Sequence, residues 1–411
     1  MFIQEVISII WKEKEQIYKK LLTKYKGWDV KALLEGLNAQ SMDYYQRGNG
    51  FFNRLITKGC SQHFKNTGLS GCSMCNLHKD IKTVAMLCAL YEKDKQQYSR
   101  VVLNSFRNRR AEVCVRHWRE YVFSSDFLNE DEISDECLDG LFGDCGLYKK
   151  KPLHIEFETH VTSINKERLK KLRGYFPNTK IWLRIGVECE NEWLRVHWLN
   201  KPISNQVIID AIELCHSYGI KIIANVLLGL PGLTEYWSLY EFCRTAFWLF
   251  HHHIDQISCS ILDRKPYTLQ YFIYENFKDN QILNRIGIAD GQHTGVPWLF
   301  TLLEALKICN KIEEQIIKKI VFGQFEESYI SGVHQMAYNA ELSCQCNQKI
   351  FEYIRTKPQE IIYNFNSLIN DPCYFPYLVL REKQKKICSE QENIQIISNE
   401  IAKRYGIAGE L

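Results

Sequence analysis

The stretch "LHIEFETHV", running to Val161, alternates apolar and polar residues with a period of two, which predicts a β-strand. Upstream, "EYVFSSDF" reads as a buried strand with a polar end. Residues 55–57 read as a short strand leading into a cysteine-bearing loop. Downstream, "IWLRIGVECE", "IKIIANVLLGLPG" and "IDQISCSIL" predict three further strands. The segments between them are helical. In "NQVIIDAIELCHSYG", Ile208, Ile209, Ile212 and Cys215 share one face, and Gly219 stands where a C-cap belongs. "NKERLKKLRGYF" and "IKTVAMLCALYEKDKQQY" also read as helices, as do residues 1–46 with their alternating Lys and Glu.

Strands alternating with helices argue for βαβ units and a parallel sheet. The strands read as apolar on both faces at their centres and polar at their C-terminal ends. In barrel-like α/β folds that end is where ligands bind. Beyond about residue 270 the pattern predicts long helices and loops without regular strands. Three regions result: an N-terminal helical segment at 1–50, a barrel at 51–270, and a mostly helical region for substrate or partner at 271–411. There is no internal repeat and no low-complexity segment.

Composition narrows the function. The 411 residues are 45% hydrophobic, enough for a sizeable core, and 13% aromatic. The net charge is +4, from 52 basic and 48 acidic residues, which is not the footprint of a stand-alone nucleic-acid binder. No window offers about 18 uncharged apolar residues, so no membrane span is expected. The start "MFIQEVISIIWKEKEQ" is interrupted by Glu5 and reads as a surface helix. Sixteen cysteines in so long a chain do not read as a disulfide framework. A reduced, cytoplasmic setting is expected, with thiols available as metal ligands.

The loop "GCSQHFKNTGLSGCSMC" carries Cys60, Cys72 and Cys75, with eleven residues between the first pair and two between the second. Three thiols so placed can grip one metal centre. Structural zinc would need a fourth ligand, for which His63 or His78 are available. A thioredoxin-like redox pair fits less well, because the CxxC lies in a loop after a strand with a third cysteine upstream. A [4Fe–4S] cluster with one open coordination position suits three cysteinates.

This loop, with Met74 before its last cysteine, resembles the cluster loop of the radical S-adenosylmethionine (SAM) superfamily in an expanded spacing. The branch it resembles is the radical SAM subunit of archaeosine synthase, and more distantly the elongator catalytic subunit. "WKEKE" at Trp11, "YVFSSDFLNEDEIS", "IGVECENEWLRVHWLNK", "NVLLGLPGLTE", "GVPWLF" and "ELSCQCNQKI" resemble that branch's segments in order, over roughly residues 10–350. The resemblance implies an α/β fold, a partial (β/α)6 TIM-type barrel with N-terminal helices and a mostly helical C-terminal extension. It implies a [4Fe–4S] cluster on Cys60, Cys72 and Cys75, with S-adenosyl-L-methionine on the unique iron. Reductive cleavage of SAM would yield a 5′-deoxyadenosyl radical that abstracts a substrate hydrogen, the electron coming from an external donor.

By the same resemblance, Met74 would pack near the adenine, and Ser124 and Ser125 would meet the methionine amino group. A hydroxyl pair capping the next loop is the plain reading of those serines. Glu158 and Glu188, at strand ends, would accept from the ribose hydroxyls or the SAM ammonium, where a surface ion pair is the plain reading. Gly229 and Gly232 would let the backbone approach the adenine, where a strand-ending turn is the plain reading.

Other groups are read from the residues. Cys344, Cys346, Cys373 and Cys388 are candidates for a second cluster or zinc, although "NCxxCD" of the family is matched only with one residue missing. Cys88, Cys114, Cys189, Cys215 and Cys243 read as core. His251–His253 reads as a helix end. Arg107, Arg109 and Arg110 form a basic cluster, read as a solvated face.

The resemblance points first to a tRNA nucleoside as substrate. The family's "ESRPE" has become "ETHVT" here, however, and "TSGSFLD" has become "SSDFLN". The chain also carries no recognisable RNA-binding module. Richness in Gln, Asn, Ile and Lys suggests an AT-rich, bacterial genome. Bacterial relatives of the branch include spliceases, which excise a tyrosine-derived tyramine unit from a ribosomally made precursor peptide with a small accessory protein. The expectation is therefore a peptide-modifying radical SAM enzyme with such a partner, and a tRNA-modifying lyase as the alternative. A non-enzymatic zinc scaffold is the third reading.

Overall fold

Strands β1 (Tyr45–Arg47), β2 (Gly50–Arg54), β5 (Arg119–Phe123), β6 (His154–Glu158), β7 (Lys180–Glu188), β8 (Lys221–Leu228), β9 (Gln256–Ile261) and β10 (Ile320–Phe322) form one sheet in that spatial order. A hairpin of β3 (Phe64–Lys65) and β4 (Gly68–Leu69) stands apart within the cysteine loop. The computed structural model describes residues 1–38, 45–47, 50–65, 68–76, 81–110, 119–148, 150–322, 335–356, 360, 367 and 369–409. From β2 through β9 the pairing is parallel and helices join successive strands, so six parallel strands make a half-barrel of the TIM type. Antiparallel β1 and parallel β10 extend its two edges.

The expected strands lie in this sheet with three differences. The expected strand at 55–57 falls just past β2, although Leu55 N still donates to Phe123 O at 2.7 Å and prolongs the ladder. Residues 45 and 46, expected as helix, begin β1. The region after 270, expected to hold no regular strand, supplies β10, whose three residues are too few to show a period.

The faces of the sheet also differ from expectation. One face is apolar. Phe157 of β6 stacks on Phe127 at 4.1 Å between centroids and meets Phe142 of the helix Asp135–Phe142 and Phe176, the cap of the helix Lys166–Tyr175. The other face is polar, with Arg184 Nε donating to Glu156 Oε1 at 2.7 Å and its Nη1 to Asn225 Oδ1 at 2.8 Å. A closed barrel fills its interior with apolar layers. A half-barrel leaves its concave face open, so polar residues are tolerated there, and they bond across strands.

The Phe2–Lys26 helix buries Phe2, Val6, Trp11, Tyr18 and Tyr25 along one stripe, packed on the Ile81–Lys93 helix and on β4. The Asn205–Ser217 helix ends as its sequence suggests: Gly219 takes φ +63°, Ile220 N bonds Cys215 O, and Gly219 N bonds His216 O. His251 closes the Glu235–His251 helix, with His252 as its cap. Cys189, Cys215 and Cys243 are buried, and Cys88 is half-buried against Tyr18. Cys114, His78 and the side chains of Arg107, Arg109 and Arg110 lie outside the described residues. No described helix is long and apolar enough to cross a membrane.

Phe157→Ala should lower the free energy of unfolding by about 3–5 kcal/mol. Guanidinium denaturation would read this as a lower midpoint. A loss under 1 kcal/mol would mean the aromatic cluster is not the packed core of the sheet.

Candidate active site

The cysteine loop leaves β2 and lies over the C-terminal ends of the strands, and its anchors are local and specific. Thr57 donates its hydroxyl to Glu132 Oε1 at 2.7 Å, and Gly59 N donates to Thr57 Oγ1 at 3.2 Å, just before Cys60. Ser73 N bonds Leu199 O at 3.0 Å, Ser73 Oγ bonds Trp198 O at 2.9 Å, and Asn200 Nδ2 bonds Gly71 O at 2.7 Å. Ser73 O in turn accepts from Leu269 N at 2.7 Å. The segments after β5, β7 and β9 thus close on the loop from three sides.

Trp11, the first residue of "WKEKE", is part of this closure. Its ring meets His63 edge-on at 4.5 Å and stacks on Tyr267 at 5.1 Å. Gly71 has φ +111°, and a Cβ there would come 2.6 Å from His63 Nδ1. Burial pushes His63 down to about 4. The ring that sequence offered as a fourth zinc ligand is engaged in packing.

Next to Cys72 lies a buried ion pair. Lys201 Nζ is 2.8 Å from Glu188 Oε1, and the two side chains are 8% and 9% exposed. Glu188 takes φ +68° at a register shift that begins at Gly186. A Cβ on Gly186 would collide with Lys201 Nζ and Glu188 Oε1, so only glycine leaves room for the pair. Glu188 is therefore in an ion pair, as its plain reading had it, but a buried one and not a surface one. Burial would lower the Lys201 pKa, but Glu188, and then Cys72, raise it by more. Burial pushes Cys72 up to about 12 against the pull of Lys201, and pushes Cys60 up to about 12. Cys60 and Cys75 each interact electrostatically with Cys72.

Beside this pair the segments after β5 and β6 meet each other. Asp126, from "SSDFLN", accepts from Thr159 Oγ1 at 2.7 Å, His160 N at 2.9 Å and Ser163 Oγ at 2.6 Å. His160 is pushed down to about 4 by burial and then by Lys201. Glu158 is half-buried at the end of β6, and burial pushes it up to about 7, with Glu156 and Glu188 adding and Arg184 opposing. Ser124 is buried and Ser125 half-buried at the end of β5, and Ser125 N donates to Glu132 Oε1 at 2.7 Å. Burial pushes Glu132 up to about 7.

Met74 lies half-buried in the turn where Cys75 N bonds Cys72 O. Gly229 and Gly232 both have positive φ at the end of β8. A Cβ on Gly229 would meet Pro297 Cγ at 3.0 Å, and one on Gly232 would collide with Ile397 Cδ1. In this structure the C-terminal region packs against the turn at both glycines. Of the further cysteines, Cys344, Cys346 and Cys373 come together, with Asp371, while Cys388 is exposed and apart. Among the described residues this is the group whose metal-ligating atoms lie within 4.8 Å of one another. Cys60, Cys72 and Cys75 do not draw together so tightly.

Sequence reasoning did not assign Lys201, Asn200, Glu132, Asp126 or His160. Each stood in a segment already singled out, His160 in one noted as a departure and the others in ones noted for their resemblance, but their partners are 33 or more positions away in several cases.

No family model matches the chain. Two uncharacterized proteins of Methanocaldococcus jannaschii are similar to it. One is 26% identical over 229 residues, 56% of this chain and 56% of that protein. The other is 35% identical over 104 residues, 25% of this chain and 31% of that protein. The chain thus spans about half the length of the first and less of the second. Among solved structures, the radical SAM enzyme coproporphyrinogen III oxidase from Escherichia coli aligns over 80% of this chain and 62% of its own, at 13% identity and a TM-score of 0.40. Methylornithine synthase aligns over 85% of this chain and 99% of its own, at 12% identity and a TM-score of 0.38. A radical SAM methyltransferase from Kitasatospora setae aligns over 53% of this chain and 38% of its own, at 14% identity and 0.34. At those scores the overlap is too slight to carry an argument about chemistry.

Lys201→Met should cost about 3–5 kcal/mol by leaving the Glu188 carboxylate buried without its cation, and adding Glu188→Gln should restore part of it. Chemical denaturation of the three proteins checks this. Equal stabilities would show the pair to be solvated.

Glu132 has its proton affinity raised from 4.5 to about 7, so the folded state holds a proton that the unfolded chain releases. Its contribution to stability is full below about pH 4.5 and is lost as pH rises through about 7, by up to about 3 kcal/mol. Glu132→Gln should flatten that decline in unfolding curves taken across this window.

Proposed function

We propose that the chain is a radical SAM enzyme that holds a [4Fe–4S] cluster on Cys60, Cys72 and Cys75 and acts on a ribosomally made precursor peptide. The observation that carries this reading is the three-thiol loop, clamped by Asn200 and Ser73 over the C-terminal ends of an open parallel half-barrel. A [4Fe–4S] cluster with one open position takes one cysteinate on each of three irons, the number of thiols the loop carries. When bound, cluster and SAM would supply reductive cleavage of the sulfonium.

The chain's own residues would bind, orient and exclude water. Cys72 sits beside Lys201, whose charge eases loss of the thiol proton on metal loading. Ser124, Ser125 and Met74 would line the SAM side, with Glu188 positioned there by Lys201. Glu158 and Glu132, both pushed up to about 7, are groups at this rim able to take or give a proton near pH 7, whereas His160, pushed down to about 4, stays neutral there.

Two observations support a peptide as the substrate. Asp126 accepts from the backbone N–H of His160, so the two departures from the tRNA-modifying branch lie side by side on the face beside the cofactor loop. Exposed apolar side chains, Tyr236 and Tyr240 on one helix and Phe375, Leu378 and Val379 on a helix packed against it, offer a surface for a peptide or a small accessory protein.

The test is anaerobic reconstitution with iron and sulfide, followed by electron paramagnetic resonance with and without SAM and an assay of 5′-deoxyadenosine. The expected result is a reduced-cluster signal that SAM perturbs, lost in Cys60→Ala, Cys72→Ala and Cys75→Ala alike. A cluster that survives all three substitutions would sink the reading. Short peptides encoded beside the gene should raise 5′-deoxyadenosine formation above its level without substrate, and bulk tRNA should not. The reverse outcome would favour the tRNA-modifying alternative.

A further inference from the structure

Three thiols and a carboxylate far from the cysteine loop meet at one point. Cys344 Sγ lies 2.8 Å from Cys346 Sγ, 2.9 Å from Cys373 Sγ and 3.9 Å from Asp371 Oδ1. Cys346 is fully buried, and the other three are half-buried. Two chain segments supply them. Cys344 and Cys346 stand at the start of the Gln345–Thr356 helix, and Cys373 is the N-cap of the Tyr374–Gln384 helix. Two helix N-termini therefore point at the group, and each favours negative charge there.

We infer that Cys344, Cys346, Cys373 and Asp371 form a structural zinc site. The donor set argues for one soft divalent cation. A disulfide would consume two of the three sulfurs and leave a thiol beside a carboxylate. Both close sulfur pairs also lie well beyond the roughly 2.05 Å of an S–S bond. Calcium and magnesium take oxygen ligands, not thiolates. Thiolates on one tetrahedral zinc stand about 3.8 Å apart, so binding opens these sulfurs by about 1 Å, a smaller shift than the separate irons of a cluster would need. Three sulfurs and one oxygen make a closed tetrahedral set, which marks a structural and not a catalytic zinc.

The surroundings hold the ligands in place. Asn339 directs Nδ2 at Cys346 Sγ from 3.6 Å, while its Oδ1 accepts from Phe300 N at 2.9 Å. Cys373 N donates to Asp371 Oδ1 at 3.0 Å. Such outer partners orient metal ligands and fix their geometry.

The site joins segments 29 positions apart at Cys344 and Cys373. The helix that Cys373 begins reaches Glu304 through Tyr374, Tyr377 and Arg381. It also reaches Glu235, at the start of the helix after β8, through Thr301. Zinc here fixes the C-terminal region against the rim of the half-barrel.

The experiment uses the full chain with Cys60, Cys72 and Cys75 all replaced by Ala, so that loop metal does not contribute. Metal analysis of the purified protein should find about one zinc per chain. Cys346→Ser or Cys373→Ser in that background should reduce it at least tenfold, and Cys388→Ser should leave it unchanged. Cobalt(II) in place of zinc should show thiolate charge-transfer absorption that the same two substitutions abolish. A folding failure is separated by titrating the unsubstituted ligands with an organomercurial, which should release the zinc as the thiols are blocked. Absence of zinc, iron in its place, retention in Cys346→Ser, or a Cys344–Cys373 disulfide in freshly purified protein would each overturn the site.

Discussion

Lys201 Nζ and Glu188 Oε1 meet at 2.8 Å with both side chains almost out of water, at the end of the longest strand of the sheet. Burying two charges is costly, and the pair repays this only when geometry holds it tightly. Here the geometry comes from the backbone: positive φ at Glu188 and Asn200, and a glycine at 186. The same bend that brings Lys201 back to Glu188 sets Trp198, Leu199 and Asn200 against the cysteine loop. Loop position and ion pair are thus one constraint, and Cys72 feels both charges.

Around this centre the rim is built from contacts between strand ends. Glu132 ties the entry to the cysteine loop to the end of β5. Asp126 ties the end of β5 to the turn after β6. Trp11 closes the loop from the N-terminal helix, and Pro297 and Ile397 close the turn after β8 from the C-terminal region. The segments outside the half-barrel are therefore walls of the candidate site and not appendages. A half-barrel lacks the side chains that would fill a closed one, and other parts of the chain must shape its open face.

The helices and strands were legible because burial imposes a period on each. Arg184 shows where that reading stops. Its strand reads as apolar throughout its centre, yet its inner face is polar, because only the partners Glu156 and Asn225 on neighbouring strands make a charge tolerable there. The short β10 had no period to show. The cysteine loop was legible from spacing, and Trp11 from resemblance, but not that Trp11 packs on His63.

By itself the sequence determined the alternation of strand and helix, the three thiols after the first parallel strand, and a charge balance unsuited to nucleic acid alone. Those properties depend on residue type and short spacing. Tertiary structure alone decided that Glu188 would find Lys201, that Asp126 would find His160, and that Asp371, and not Cys388, would join Cys344, Cys346 and Cys373. Each of those partnerships needs a strand end, a bend or a helix start to carry distant residues to one place. That placement follows from how the sheet closes and which helices pack on it, and no local pattern encodes it.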